Sequence, residues 1–80
     1  MGSMAPAVKE DGLIFQVWPN DHYPPHAHVY VDGEDIRINL LTDEFMDSPP
    51  PGRRRQIGEA YSKHKDKLVK LWKEFEQRHR

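Results

Sequence analysis

The 80-residue chain contains no cysteine. Disulfides and thiolate metal sites are therefore excluded, and His, Asp and Glu remain as the metal-ligating side chains. No apolar run approaches the roughly 20 residues that a membrane-spanning helix needs, and no secretory segment is visible. We therefore expect no membrane association and a cytoplasmic location. No glycine-rich phosphate loop or nucleophile motif occurs either, which disfavours an enzyme.

The length of the chain is typical of one domain with a marginal core. Residues 1–3 resemble an expression tag scar, and residues 5–11 have the composition of a disordered leader. We therefore predict that residues 1–11 lie outside the fold and that residues 12–80 form a single α+β domain.

Charge is divided unevenly along the chain. Residues 1–52 carry two cationic residues and nine acids, a net charge of −7, whereas residues 53–80 carry ten cationic residues and four acids, a net charge of +6. This asymmetry predicts either pairing between the halves or an acidic partner for the second half.

Three segments rich in β-branched and aromatic residues predict an antiparallel sheet, with strands at about 12–18, 27–31 and 34–41. The last two are separated by Asp32-Gly33, which is a strong hairpin signal because a type I′ turn needs positive φ at both central residues. We therefore pair Val31 with Glu34 and count outward along both strands.

This register sorts the side chains of the hairpin into two faces, because successive residues of a strand alternate. The apolar face holds Ala27, Val29, Ile36, Ile38 and Leu40. The other face holds His26, His28, Tyr30, Arg37 and Asn39, with Trp18 of the first strand on the same side. The hairpin therefore predicts one core face and one face rich in histidine.

An amphipathic pattern predicts one long C-terminal helix, at about 54–77, packed on one face of the sheet. Such a helix is about 36 Å long, whereas a six-residue strand spans about 20 Å. Either Gly58 breaks the helix, or its last apolar residues pack against a second copy; these are Leu71, Trp72 and Phe75. We favour a homodimer through this helix.

Histidines concentrate around the diproline Pro24-Pro25. His26 and His28 project from one face of a strand with Cα atoms about 6.5 Å apart, so that two imidazoles can converge on one ion. A third ligand is His22 or Asp21, if the rigid turn brings it back. The predicted site for a divalent transition metal is thus His22, His26 and His28.

Two metal-free interpretations of the same segment stay open. Histidines on a sheet face are often merely polar surface, and the segment is then a structural corner. Alternatively, protonated His26 and His28 join Arg37 and Asn39 in a donor-rich site for phosphate or carboxylate, on which Trp18 can stack a ligand. The sequence does not decide between these interpretations and the metal site.

Cationic residues also crowd the predicted helix. The basic surface consists of Arg53, Arg54, Arg55, Lys63, Lys67 and Lys70. Cations at a helix start oppose the helix dipole, so the three arginines are not explained by helix stability. This surface predicts contact with nucleic acid or with an acidic protein, and a solvated helix face is the alternative.

Two motifs resemble a known family. The acidic-His-x-Pro-Pro-His-x-His-Val box from Asp21 to Val29, and the His-x3-Leu-x3-Trp pattern from His64 to Trp72, look like a family of small bacterial proteins catalogued as a domain of unknown function. The resemblance implies a β-rich first half with a C-terminal helix and no established activity. Members are often encoded beside another small protein, which implies a toxin–antitoxin or mobile-cassette locus. The triple proline, the triple arginine and Tyr61 depart from the family pattern.

The predicted function is a binding or regulatory module. Its contact surface is either the His26/His28 sheet face or the basic helix. The alternative is a metal-dependent hydrolase or nuclease with a His22, His26 and His28 site.

Overall fold

The structure is a computed structural model that describes residues 7–78. The predicted tag scar lies outside the described residues. Four strands precede one helix: β1 (Ala7–Glu10), β2 (Leu13–Gln16), β3 (His26–Val31), β4 (Glu34–Asn39) and α1 (Arg54–Arg78). The strands form one antiparallel sheet in the order β1-β2-β3-β4, and α1 packs on one face. The α+β class and the single C-terminal helix are confirmed.

The three-stranded sheet was a wrong prediction, because residues assigned to the leader form the edge strand β1. Asp11 and Gly12 connect β1 to β2 with φ angles of 48° and 80°. This is the turn geometry that links β3 to β4, where Asp32 and Gly33 have φ angles of 52° and 77°. The missed strand is therefore joined by the same Asp-Gly signal as the predicted hairpin.

The predicted register between β3 and β4 is confirmed at every pair, from Val31 opposite Glu34 to His26 opposite Asn39. The five residues assigned to the apolar face, Ala27, Val29, Ile36, Ile38 and Leu40, are all buried. On β2, Leu13 and Phe15 are buried as well. The core therefore lies between this face of the sheet and the apolar stripe of α1.

Glycine substitutions provide a test of the turn geometry. Gly33→Ala is expected to lower the free energy of unfolding by about 1 kcal/mol, because alanine is strained at a positive φ. Gly58→Ala is expected to raise it by about 0.5–1 kcal/mol, because a Cβ at this helical position meets nothing within 4 Å. Urea denaturation of both variants measures the two effects, and a shared sign would contradict this description.

The helix runs through Gly58 without a break, and its last apolar residues are covered within one chain. Leu71 and Trp72 are each 8% exposed and Phe75 is 7% exposed. A second copy is not needed to bury them, because all three belong to the hydrophobic core of the single chain. The structural argument for a homodimer is thereby removed.

Ion pairs join the acidic first half to the basic second half. Arg53 of the helix lead-in pairs with Asp32 at 2.9 Å, and Lys65 pairs with Asp43 at 2.7 Å. Glu10 of β1 accepts from His64 at 2.7 Å, and this contact is the main cause that lowers the pKa of Glu10. Ion pairs within the molecule therefore neutralise part of the opposite charges of the two halves.

α1 is too polar to span a membrane, and it is the one helix among residues 7–78.

Candidate metal centre

Asp21, His26 and His28 come together at the start of β3. The Oδ2 atom of Asp21 lies 2.9 Å from Nε2 of His28 and 3.2 Å from Nε2 of His26. Each of the three residues offers one ligand atom, and these atoms all lie within 4.8 Å of one another. Two imidazole nitrogens and one carboxylate oxygen therefore lie close enough together to share one ion.

The strand and the preceding turn explain this convergence. His26 and His28 alternate with the core residue Ala27, so both rings stand on one face, with centroids 5.1 Å apart. Asp21 belongs to residues 17–25, which connect β2 to β3. The N–H group of Leu40 donates to the Pro25 carbonyl oxygen at 2.9 Å, which ties the end of this connection to the chain just beyond β4.

The outer nitrogen of each ring has its own partner. Nδ1 of His26 lies 2.7 Å from the carbonyl oxygen of Pro24, and Nδ1 of His28 lies 2.9 Å from Oδ1 of Asp35. Carbonyl and carboxylate oxygens only accept hydrogen bonds, so Nδ1 carries the proton in both rings. Metal-binding histidines commonly have such a partner, which fixes the ring and leaves the lone pair of Nε2 for the ion.

The distances are close to those of a transition-metal site. Zinc binds nitrogen and oxygen at about 2.0–2.2 Å, so two ligand atoms of a tetrahedral site lie roughly 3.3 Å apart. The two Nε2–Oδ2 separations, 2.9 and 3.2 Å, are shorter by only a few tenths of an ångström. For these two pairs of ligand atoms, a small outward movement of Asp21 gives the spacing of a tetrahedral site.

Without a metal, the same arrangement requires a different protonation of the ring nitrogens. With Nδ1 protonated, Nε2 of His28 must carry a second proton to donate to Asp21 at 2.9 Å. Bound metal removes this requirement, because the neutral form of histidine is the ligand.

Aromatic rings surround the centre. The ring of His26 lies 5.6 Å from that of Trp72, and His28 stacks on Tyr30 at 6.1 Å. Trp18 donates from Nε1 to the Tyr30 hydroxyl at 2.8 Å, and burial raises the pKa of Tyr30. Side-chain exposure is 7% for His26 and 13% for His28. The centre is therefore a sheltered pair of rings rather than a solvated histidine surface.

Other residues of the predicted sites lie elsewhere. His22 is exposed and is outside the group that Asp21 completes. Arg37 donates two hydrogen bonds to the carboxylate of Asp47, from Nε at 2.8 Å and from a terminal guanidinium nitrogen at 2.9 Å. These bonds lower the pKa of Asp47. The side-chain oxygen of Asn39 accepts from Leu41 and Thr42. Arg37 and Asn39 therefore have structural partners that a phosphate would have to replace, and Trp18 reaches the site through Tyr30.

The basic surface is largely paired within the chain. Arg53 binds Asp32, Arg55 binds Glu59, and Lys63 binds Glu10. Arg54 lies over the ring of Phe45, with its guanidinium carbon 4.9 Å from the ring centroid. Among the described residues, the structure gives ion pairs for neither Lys67 nor Lys70. The Arg55 and Lys63 side chains nevertheless remain 91% and 67% exposed, so the basic surface as a contact surface stays a prediction.

Sequence reasoning missed the contribution of Asp35. The predicted register already placed Asp35 opposite Tyr30, and therefore diagonal to His28 on the same face. A carboxylate diagonal to a histidine across a hairpin is a usable signal for such a partner. The Pro24 carbonyl had no such signal, because its direction depends on the shape of the turn.

Comparison with known proteins identifies the family. Neither a curated protein nor a solved structure shows significant similarity to the chain. The family described as a domain of unknown function (DUF4160) matches residues 12–73, a range that includes Asp21, His26 and His28 and extends through Trp72. Because this match covers most of the chain, the protein belongs to the DUF4160 family.

Proposed function

We propose that the domain binds a divalent transition metal through Asp21, His26 and His28. The observation that carries this proposal is the proximity of three ligand atoms, one from each residue, within 4.8 Å of one another. Both rings hold Nδ1 on an acceptor outside this group, and the Nε2 atoms of His28 and His26 lie 2.9 and 3.2 Å from the same carboxylate oxygen. This combination of ligands and outer partners is typical of metal-binding histidines.

The ligand chemistry favours a metal of borderline softness. Imidazole suits zinc, copper, iron and nickel, and a carboxylate adds a hard oxygen ligand. Asp21, His26 and His28 are three ligands, whereas zinc is commonly four-coordinate. A position is therefore left for water or for a ligand from outside the protein, which agrees with a binding module that acts through the His26/His28 face.

A metal-dependent hydrolase or nuclease is the second candidate. The incomplete ligand set favours it, because catalytic zinc sites keep one position for water. The metal in such sites lowers the pKa of that water and so supplies a nucleophile near neutral pH. In this form of the proposal Asp21 takes the place in the site that the sequence assigned to His22.

The biological setting remains a prediction from the family resemblance and the composition. We propose a bacterial, cytoplasmic module from a toxin–antitoxin or mobile-cassette locus, with an acidic protein or nucleic acid as partner. The internal ion pairs of the helix start make broad nucleic-acid affinity the weaker choice. The predicted homodimer is no longer supported by the end of the helix, because Leu71, Trp72 and Phe75 are buried within one chain.

Metal titration of the untagged, chelator-treated protein tests the proposal. We expect one Zn²⁺ or Co²⁺ per chain, with saturable binding near neutral pH. At a free metal concentration about 100-fold above Kd, the free energy of unfolding rises by about 2.7 kcal/mol. Isothermal titration calorimetry and thermal melts measure the two effects. A chain that binds neither ion and melts unchanged would leave the metal-free, hydrogen-bonded arrangement of Asp21 and His28 as the correct description.

A further inference from the structure

A cavity of about 370 Å³ lies between the connection from β2 to β3 and the C-terminal part of α1. The connection contributes Pro19, Asp21 and Tyr23 to its lining, and the helix contributes Trp72, Phe75 and Glu76. The volume is within the range of about 300–1,000 Å³ that is usual for small-molecule sites. The cavity is therefore large enough for a small organic ligand.

Three aromatic residues line this cavity, and two of them are fixed by the core. Trp72 and Phe75 belong to the hydrophobic core, where close packing holds side chains in place. Tyr23 is 71% exposed and lies at the surface. The faces of aromatic rings carry partial negative charge and attract cations within about 6 Å of the ring centre. The lining therefore accommodates either an apolar group or an organic cation.

The charged residues of the cavity favour the cation. Asp21 and Glu76 line it, whereas no Lys, Arg or His among residues 7–78 does. Asp21 also contacts His26 and His28, but the structure gives no ion pair for Glu76 within the part of the chain that it describes. At least one carboxylate is therefore left to balance a positive ligand, and an anion would meet it without a compensating cation.

The apolar part of the lining distinguishes between kinds of cation. A primary ammonium group is compact and strongly hydrated, and it loses this hydration when it enters an apolar cavity. A quaternary ammonium group has an alkyl surface and no N–H groups that need acceptors. Aromatic rings are the usual partners of such groups, as in choline sites. Pro19 adds a further apolar contact for the alkyl groups.

We propose that this cavity binds a small molecule with a quaternary ammonium group. The alkyl groups of the cation contact Tyr23, Trp72 and Phe75, and the carboxylate of Glu76 balances its charge. The inference goes beyond the metal centre, because it requires neither a bound ion nor a ligand on that ion.

Calorimetric titration of the chelator-treated protein with choline tests this inference. The matched probe is neohexyl alcohol, in which a carbon atom replaces the charged nitrogen of choline. We expect choline to bind saturably, at least about tenfold more tightly than the alcohol, because only the cation gains from the ring faces and the carboxylate. Because no metal is present in this titration, its result does not depend on the metal centre.

Substitutions of Tyr23 separate the effect of the ring from that of its apolar area. Tyr23→Leu keeps an apolar side chain without the ring, and we expect it to weaken choline binding by at least about threefold. The affinity for neohexyl alcohol should change less. Tyr23→Phe keeps the ring and should retain the choline affinity.

Substitution of Glu76 tests the role of its charge. Glu76→Gln should weaken choline binding by at least about threefold and leave the binding of neohexyl alcohol unchanged. The matched control is Glu74→Gln on the same helix, which should change neither affinity, because Glu74 does not line this cavity.

Three outcomes would overturn the assignment of the cavity. The first is equal affinity for choline and neohexyl alcohol, or no saturable binding of choline. The second is an equal loss for Glu76→Gln and Glu74→Gln, because the charge would then act from the general surface. The third is a loss for Tyr23→Phe as large as that for Tyr23→Leu. The zinc titration is a separate measurement, so either proposal can fail while the other holds.

Discussion

Removal of one proposed ligand is expected to lower metal affinity by more than about 100-fold. Substitutions of outer-shell partners typically cost 10–100-fold, and the loss of a direct ligand should cost more. The three variants are Asp21→Asn, His26→Ala and His28→Ala. Each leaves two residues of a set whose ligand atoms lie within 4.8 Å of one another. Zn²⁺ competition with a chromophoric chelator measures the change.

Two further variants sharpen this experiment. Asp35→Asn should lower Zn²⁺ affinity by about 10–100-fold, because Asp35 orients His28 without being a ligand. His22→Ala should leave the affinity unchanged, because His22 is exposed and outside the group. An equal loss for His22→Ala and His28→Ala would show that zinc binds histidines without regard to this geometry.

Phe15→Ala is expected to lower the free energy of unfolding by about 3–5 kcal/mol. Phe15 is fully buried at the centre of β2, opposite Val8 on one side and Val29 on the other. Removal of its ring leaves a cavity under α1 that the rigid sheet cannot close. The loss is a large part of the total stability of a domain, which is roughly 5–15 kcal/mol.

A milder substitution keeps this prediction measurable if Phe15→Ala does not fold. Phe15→Leu should cost about 1 kcal/mol, because most of the apolar volume is kept. Leu41→Ala is the matched control, since Leu41 is 62% exposed and should change stability by less than about 0.5 kcal/mol. Chemical denaturation of the three proteins measures the order, and a control as costly as Phe15→Leu would refute this account of the core.

The hairpin of β3 and β4 was predictable because two independent signals agree on it. Asp32-Gly33 fixes the turn, and the alternation of Ala27 and Val29 with the histidines fixes the faces. Strand β1 was missed although Asp11-Gly12 carries the same turn signal. Its sequence, Ala-Val-Lys-Glu, has little β propensity, so its place in the sheet depends on pairing with β2 rather than on local preference.

The third member of the site was less predictable than the pair on β3. Periodicity places His26 and His28 on one face, but it does not determine the direction in which the preceding turn points. His22 and Asp21 are adjacent in sequence, and the turn exposes His22 while it brings Asp21 to both rings. The partners of Arg37 and Asn39 come from residues 41–47, a connection without a periodic pattern.

X-ray absorption spectroscopy of the Zn²⁺-loaded protein tests the metal centre most directly. We expect two imidazole nitrogens and at least one carboxylate oxygen at about 2.0–2.2 Å from zinc. We also expect that His28→Ala removes one imidazole from this shell, whereas His22→Ala preserves both. A shell of oxygen atoms without imidazole, or one that His28→Ala leaves unchanged, would contradict the proposal that Asp21, His26 and His28 bind the metal.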